Sequence, residues 1–198
     1  MTTALIVFAK APRPGLAKTR LIPALGPEGA AQLAGRLLEH AWREGVAARL
    51  DAAELCVSPD TDDPAFAGLA APLTLQGDGD LGARMHRAFQ RVLARHDAAL
   101  LIGTDAPSLD AGRLREAAAA LQNTDAVFVP ALDGGYALVG LRQPCESLFR
   151  DMHWSTSTVM AETRLRLHAA GLRWIELAPV NDIDEPADLV HLPPGWHP

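Results

Sequence analysis

The 198-residue sequence has few cysteines, few lysines and no surplus of basic residues. A formal net charge of −6 argues against a nucleic-acid binder, because no excess of cations exists to displace the counterions of phosphates. The two cysteines, Cys56 and Cys145, match no zinc-site spacing and are too few for a disulfide scaffold. No apolar run approaches the ~20 residues of a membrane-spanning helix. Neither a nucleic acid nor a membrane is therefore expected as a partner.

Enough apolar material is present for one hydrophobic core, with 48% hydrophobic residues and a mean hydropathy of +0.05. The length predicts a single domain over residues 1–198. The apolar segment 1–9 does not resemble a signal peptide, because no positive charge precedes it. We interpret it as the first core strand of a cytoplasmic protein.

Short apolar runs alternate with amphipathic segments along the chain. The runs predict strands at 4–9, 54–58, 73–76, 98–102, 126–130, 136–141 and 172–177. The amphipathic segments predict helices at 27–49, 81–93, 110–121, 155–170 and 184–192. This alternation is typical of an α/β fold, in which helices cover both faces of a mostly parallel sheet. Ligands of such sheets bind beyond the carboxyl ends of the strands.

The loop after the first predicted strand concentrates positive charge on an acidic chain. It contains Lys10, Arg13, Lys18 and Arg20, and both lysines of the chain lie in it. Gly15 permits close approach of the backbone, so the loop suits a diphosphate or triphosphate. It matches neither a Walker A loop nor the G-x-G-x-x-G fingerprint. The alternative is a solvated loop stiffened by its prolines.

Asp105 follows the most hydrophobic predicted strand. A carboxylate at the end of a strand can ligate a hard divalent cation that also holds phosphate oxygens. The alternative is a turn or helix-capping role. Asp182 is a candidate second metal ligand, whereas Asp184 is interpreted as a possible helix cap. Because their loops both follow strands, we expect Lys18 and Asp105 to lie together at the mouth of one cleft.

The segment Asp133-Gly134-Gly135 predicts a hairpin turn. Asp133 is also a candidate carboxylate near an acceptor substrate, where it would serve as a general base. Tyr136 is the single tyrosine of the chain, and it could stack on a sugar or donate a hydrogen bond to one.

Two predicted helix starts carry polar residues with two interpretations each. Ser155 and Thr156 favour capping of the helix at 155–170, whose free amides could also hold an anion. Asp80 and Arg84 stand at the start of the helix at 81–93, where Asp80 could cap the helix or both residues could contact a nucleotide.

Six segments together resemble a bacterial family of small GT-A-type nucleotide-diphospho-sugar transferases. In chain order they are FAKAPRPGLAKTRL (8–21), QGDGDLGARM (76–85), LIGTDAPSL (101–109), PALDGGYALVGL (130–141), WSTSTVMAETRLRL (154–167) and NDIDEPADL (181–189). The resemblance implies a three-layer α/β/α sandwich of Rossmann-like GT-A type with a nucleotide site over the sheet. It places Asp105 where these enzymes have their metal-binding acidic motif, although a single Asp replaces Asp-x-Asp here. The segment 18–21 is also similar to 2-phospholactate guanylyltransferases.

The expected activity is a metal-dependent transfer of a sugar from a nucleoside-diphosphate sugar to an acceptor that the sequence does not identify. The cations of the first loop would neutralise the phosphates, and Asp105 with Asp182 would hold Mg²⁺ or Mn²⁺. One alternative is a guanylyltransferase-like enzyme that joins a nucleotide from a nucleoside triphosphate to a small phosphorylated acid. The other is a nucleotide-binding module without catalytic activity.

Overall fold

A computed structural model describes residues 1–196 of the chain. These residues form seven strands: β1 (Thr3–Lys10), β2 (Ala52–Ser58), β3 (Leu73–Leu75), β4 (Ala98–Ile102), β5 (Ala126–Pro130), β6 (Tyr136–Leu141) and β7 (Trp174–Glu176). They also form four α-helices: α1 (Ile22–Ala47), α2 (Leu81–Leu93), α3 (Ala111–Ala120) and α4 (Val159–Ala169). Short 3₁₀ helices lie at Thr19–Leu21, Pro64–Phe66, Glu146–Leu148 and Pro186–His191. No helix within 1–196 is both long enough and apolar enough to cross a membrane.

All seven strands belong to one sheet in the order β3-β2-β1-β4-β6-β5-β7. β6 pairs antiparallel with both β4 and β5, and the other pairs are parallel. The tight turn between β5 and β6 explains the antiparallel pair, because a parallel neighbour needs a long crossover connection. The predicted α/β class with a mostly parallel sheet is confirmed.

Both faces of the sheet are buried. On one face, α1 and α3 pack over side chains such as Leu5 and Val7, and on the other face α2 and α4 pack over Ile6 and Phe8. Burial on both sides explains why β1 reads as a continuous apolar run rather than an alternating pattern. The three layers follow, with helices above and below the sheet.

The starts of two helices show how far the sequence prediction holds. The bounds of α1 begin at Ile22, but its backbone breaks at Gly26 (φ 71°, ψ 167°), so the continuous helix starts at Pro27, as predicted. α4 begins at Val159 and has no side-chain cap, so the predicted capping by Ser155 or Thr156 is wrong. Ser155 adopts a left-handed backbone (φ 61°), which ends any helical path through it.

Candidate functional site

A cleft of about 690 Å³ opens at the carboxyl ends of β1 and β4. The loops after these strands, the start of α2 and the segment 154–156 form its walls. Predicted site residues that line it are Lys10, Lys18, Arg20, Asp105, Asp133, Gly135, Tyr136, Ser155, Thr156 and Asp182. A smaller cavity of about 190 Å³ lies beside Arg36 and Trp196, and none of the predicted site residues lines it. The large cleft is therefore the candidate site.

Lys18 is a nearly buried cation at the centre of the cleft, with 7% of its side chain exposed. Its Nζ donates to the carbonyl oxygen of Ile183 at 2.5 Å and contacts Asp105 Oδ1 at 2.8 Å. Asp184 Oδ1 lies 3.7 Å from the same nitrogen. The expected proximity of Lys18 and Asp105 is confirmed. One ammonium group thus ties the first loop to the end of β4 and to the segment 183–184.

Two further cations of the loop also face the cleft. Arg20 pairs with Asp184, with 2.6 Å between Nη1 and Oδ2. Lys10 is exposed, and its Nζ donates to the carbonyl oxygen of Leu16 at 2.9 Å. Neither cation is buried, so a bound anion can reach both of them.

Arg13 behaves differently from the other three cations. Its Nη2 lies 2.5 Å from Asp63 Oδ2, and Asp63 is buried. The backbone N–H of Ala65 and the Arg13 guanidinium lower the pKa of Asp63. Among the described residues, those that line the cleft do not include Arg13 or Gly15. Arg13 thus anchors the loop to the segment at 63–65.

Four carboxylates line the cleft: Asp105, Asp133, Asp182 and Asp184. Burial, followed by the charge of Asp133, raises the pKa of Asp182 to about 6, and Asp188 and Asp105 add to the effect. Asp105 Oδ1 accepts a hydrogen bond from the Thr104 hydroxyl and forms the ion pair with Lys18, whereas Oδ2 accepts no hydrogen bond from residues 1–196. Like charges are thus held near one another with one oxygen of Asp105 available.

Carboxylate oxygens are the ligands that Mg²⁺ and Mn²⁺ prefer, so the donor set fits the expected ion. Asp105 and Asp182 are the residues that could hold it. No group of three or more His, Cys, Asp or Glu within 1–196 stands ready as a complete metal site. The protein would therefore supply only part of the coordination shell, which suits an ion that also binds substrate phosphates.

The turn between β5 and β6 packs against the segment before α4. Asp133 Oδ1 accepts from the N–H of Gly135 at 2.8 Å, as expected of a turn residue. Gly134 has φ 96°, and a Cβ there would lie 2.1 Å from the carbonyl oxygen of Ser157. Gly134 thus permits this close approach and does not line the cleft among the described residues.

An aromatic wall closes one side of the cleft. The ring of Tyr136 meets Trp154 edge to face, with 6.4 Å between centroids, and meets Phe128 at 5.3 Å. Burial raises the pKa of Tyr136, so its hydroxyl stays protonated at neutral pH and can donate a hydrogen bond. The Nε1 of Trp154 is buried and forms no hydrogen bond within 1–196.

Asp80 and Arg84 serve the local structure of α2. Asp80 Oδ1 accepts from the N–H of Ala83 at 2.8 Å, which is the capping interpretation. Arg84 Nε donates to the carbonyl oxygen of Gly79 at 2.9 Å. Neither residue is among the described residues that line the cleft.

The predicted site did not include Gln76, Trp154 and Asp184, although all three line the cleft. Asp184 does not cap the last helix, because Glu185 occupies the N-cap and Asp184 pairs with Arg20. The sequence pointed to Asp184 only in that it carries a carboxylate, which can pair with one of the cations of the first loop. Gln76 and Trp154 carry no charge and gave no such signal.

Comparisons with known proteins agree with this fold. Residues 38–156, more than half of the chain, match the family "Uncharacterized protein conserved in bacteria (DUF2064)". A structure from Desulfovibrio desulfuricans G20, described as a "putative nucleotide-diphospho-sugar transferase", is 33% identical with a TM-score of 0.87, over 96% of this chain and 85% of that one. No curated protein matches the sequence.

Two more distant structures share the fold alone. CMP:2-keto-3-deoxy-manno-octonic acid synthetase, in complex with CTP, has a TM-score of 0.65 at 11% identity over 96% of both chains. Glucosyl-3-phosphoglycerate synthase from Mycobacterium tuberculosis, in complex with Mn²⁺ and UDP, has a TM-score of 0.59 at 10% identity. The latter match covers 96% of this chain and 75% of that one. The chain belongs to the bacterial family DUF2064 and has the fold of the nucleotide-diphospho-sugar transferases.

Proposed function

We propose that the protein transfers a sugar from a nucleoside-diphosphate sugar to an acceptor, with Mg²⁺ or Mn²⁺ bound at the cleft. The observation that carries the proposal is the contact of Lys18 with Asp105 at the end of β4. The contact supports the proposal because it brings together, in one cleft, a cation suited to phosphate and a carboxylate suited to a divalent metal ion. A diphosphate with a bound metal ion needs both groups: the cation to neutralise the phosphate oxygens and the carboxylate to ligate the metal ion.

The three cations that line the cleft, Lys10, Lys18 and Arg20, hold the diphosphate. Their present partners are carboxylates and backbone carbonyls. Arg20 and Asp184 are 54% and 38% exposed, so the ion pair between them is a weak one. Binding at Arg20 therefore exchanges one anionic partner for another with little loss, whereas Lys18, with 7% of its side chain exposed, is held in place for the ligand.

The carboxylates act on the other side of the diphosphate. Asp105 and Asp182 would hold the divalent ion, and the charge of that ion would stabilise a leaving diphosphate. Asp133 is the candidate general base that accepts the proton of the acceptor hydroxyl. The neutral hydroxyl of Tyr136 orients a sugar by donating a hydrogen bond, and the ring of Trp154 gives it an apolar surface.

A second candidate is nucleotidyl transfer from a nucleoside triphosphate to a small phosphorylated acid. It is favoured by the density of cations at the cleft, since a triphosphate carries more charge than the diphosphate of a nucleotide sugar. The two reactions differ in their products. Nucleotidyl transfer releases inorganic pyrophosphate, whereas glycosyl transfer releases a nucleoside diphosphate.

The test begins with thermal unfolding in a panel of nucleoside-diphosphate sugars and nucleoside triphosphates, with and without Mn²⁺. A specific ligand at a hundred times its Kd stabilises the fold by roughly 2.7 kcal/mol. Ligands that stabilise are then incubated with candidate acceptors, and pyrophosphate and nucleoside diphosphate are measured. Stabilisation by a nucleotide sugar with release of the diphosphate supports the proposal. Binding without either product would instead indicate a nucleotide-binding module, and no stabilisation by any nucleotide would contradict a nucleotide site.

A further inference from the structure

Gln76 is a buried polar side chain in the cleft, directly after β3. Only 7% of the residue is exposed, and it lines the same cavity as Lys10. Its backbone N–H donates to the carbonyl oxygen of Val57, which extends the pairing of β3 with β2 by one residue. Arg87 Nη1 donates to the carbonyl oxygen of Gln76 at 2.6 Å. The backbone of Gln76 is thus fixed on two sides.

The orientation of the amide group follows from its partners. Nε2 donates to the carbonyl oxygens of Ala9, at 3.2 Å, and Cys56, at 2.9 Å. Backbone carbonyls only accept hydrogen bonds, so the nitrogen must face them and the oxygen must face away. Oε1 accepts no hydrogen bond from residues 1–196, and it is not among their fully buried, unpaired polar atoms. An oriented acceptor is therefore presented to the cleft.

The surroundings of this acceptor suit a planar, aromatic ligand. Phe8, Leu81 and Met85 line the same cavity and supply apolar surfaces. The nearby arginines already donate to backbone carbonyls, Arg87 to Gln76 and Asp78, and Arg84 to Gly79. The cleft around Gln76 thus offers apolar surfaces together with one hydrogen-bond acceptor. Lys10, one of the proposed phosphate-binding residues, directly follows Ala9, to which Gln76 is bonded.

We infer that Gln76 selects the base of the nucleotide, with Oε1 accepting an N–H from an exocyclic amino group. The inference rests on the proposed nucleotide site and adds the substrate class: a nucleotide of cytosine, adenine or guanine rather than uracil. An amino group that projects from the ring donates directly to Oε1. A keto oxygen at the same place would face Oε1 as a second acceptor. The two oxygens would repel each other, and Oε1 would form no hydrogen bond.

Matched nucleotide pairs test the inference on the unmodified protein. Purine riboside triphosphate differs from ATP by the loss of the 6-amino group, inosine triphosphate from GTP by the loss of the 2-amino group, and UTP differs from CTP at the 4-amino position. Calorimetric titration should show that one pair loses roughly tenfold in affinity when the amino group is absent, as expected when a buried acceptor is left without its donor. Equal binding within all three pairs would overturn the role of Gln76 while leaving the nucleotide site intact. Absence of binding by all six would overturn the role of Gln76, and the thermal panel of nucleoside-diphosphate sugars then tests the proposed function separately.

The substitution Gln76→Met locates the effect, with Gln122→Met, at an exposed position in the turn after α3, as control. Gln76→Met should bind both members of the selective pair with affinities within about twofold, because no acceptor remains. The control should keep the full discrimination. Discrimination that persists in a folded Gln76→Met protein would overturn the inference. If this variant does not fold, because Nε2 joins β1 to β2, the nucleotide pairs on the unmodified protein decide.

Discussion

The two halves of the cleft carry charge in different ways. On the phosphate side, Lys18 and Arg20 are paired with Asp105 and Asp184. On the other side, Asp182 forms no ion pair within residues 1–196, and its pKa is raised to about 6 by burial and by Asp133. The first half is electrostatically satisfied without a ligand, whereas the second half retains repulsion that a bound cation relieves. Stability measurements should therefore separate the two halves even before a substrate is known.

The largest loss of stability is expected at Gly134, where the turn that carries Asp133 packs against the segment before α4. Gly134→Ala combines a positive φ with a Cβ 2.1 Å from the Ser157 carbonyl oxygen, so the turn must move. We expect a loss of about 3 kcal/mol in the free energy of unfolding, measured by urea denaturation.

Gly15→Ala is the matched control for this change. Gly15 also has a positive φ (75°), but a Cβ there meets no atom within 4 Å. It should cost only about 1 kcal/mol, the strain of the backbone alone. Equal losses for the two variants would show that the contact with Ser157 does not hold the turn.

The next effect concerns the phosphate half. Lys18→Met removes the cation that contacts Ile183 and Asp105, and we expect the affinity for a nucleoside diphosphate to fall by about tenfold or more. Unfolding should become easier by about 1–2 kcal/mol, since hydrogen bonds to a charged group are lost. Arg13→Gln is the control for the same loop, because Arg13 pairs with Asp63 and is not among the described residues that line the cleft. An affinity that drops equally in both variants would mean that the loop acts through its net charge and not through Lys18.

A smaller, pH-dependent effect is expected on the carboxylate side. Because the pKa of Asp182 is raised, its protonated form is stabilised in the fold, and this stability is present below pH 4 and lost as pH rises through about 6. Asp182→Asn should therefore match the unmodified protein at pH 4 and be more stable by about 1 kcal/mol at pH 8, after allowance for solvent screening. Asp62→Asn, at an exposed carboxylate, is the control. Thermal unfolding at the two pH values checks the prediction, and a variant that is less stable at pH 8 would contradict it.

The smallest effect on nucleotide affinity is expected for a substitution of Arg13. Unlike Lys10, Lys18 and Arg20, Arg13 has a structural role. Arg13→Gln should leave nucleotide affinity within about twofold and should lower stability by no more than about 1 kcal/mol, because its pair with Asp63 is half exposed on the arginine side. Nucleotide titration of this variant beside Lys18→Met makes the comparison. A tenfold loss of affinity would show that Arg13 binds the phosphates after all, as the sequence predicts.

The fold was readable from the sequence where burial dictates the residue type. β4, β5 and β6 coincide with their predicted bounds, since strands buried on both faces appear as apolar runs. The start of α4 was not readable, because the segment before it combines a left-handed backbone at Ser155 with a close approach of Ser157 to Gly134 in a distant turn. Local sequence carries no record of such a contact.

The site was readable in part for a similar reason. Lys18 and Asp105 both follow strands, and parallel strands bring their carboxyl ends to one edge, so their meeting could be predicted. Arg13 lies in the same loop, yet Asp63 captures it from a segment 50 residues away. The amide of Gln76 is oriented by the carbonyl oxygens of Ala9 and Cys56, and these come together only in the folded sheet.

The most direct test of the account is calorimetric titration of Asp105→Asn and of the unmodified protein with the nucleotide that stabilises the fold most, with and without Mn²⁺. The amide is close to the carboxylate in shape but is neutral, so it ligates a hard cation poorly. We predict that Asp105→Asn keeps the fold and its metal-independent affinity within a few-fold but loses the gain in affinity that Mn²⁺ gives the unmodified protein. If the variant retains the whole Mn²⁺-dependent gain, Asp105 is not the metal ligand and the proposed mechanism is wrong.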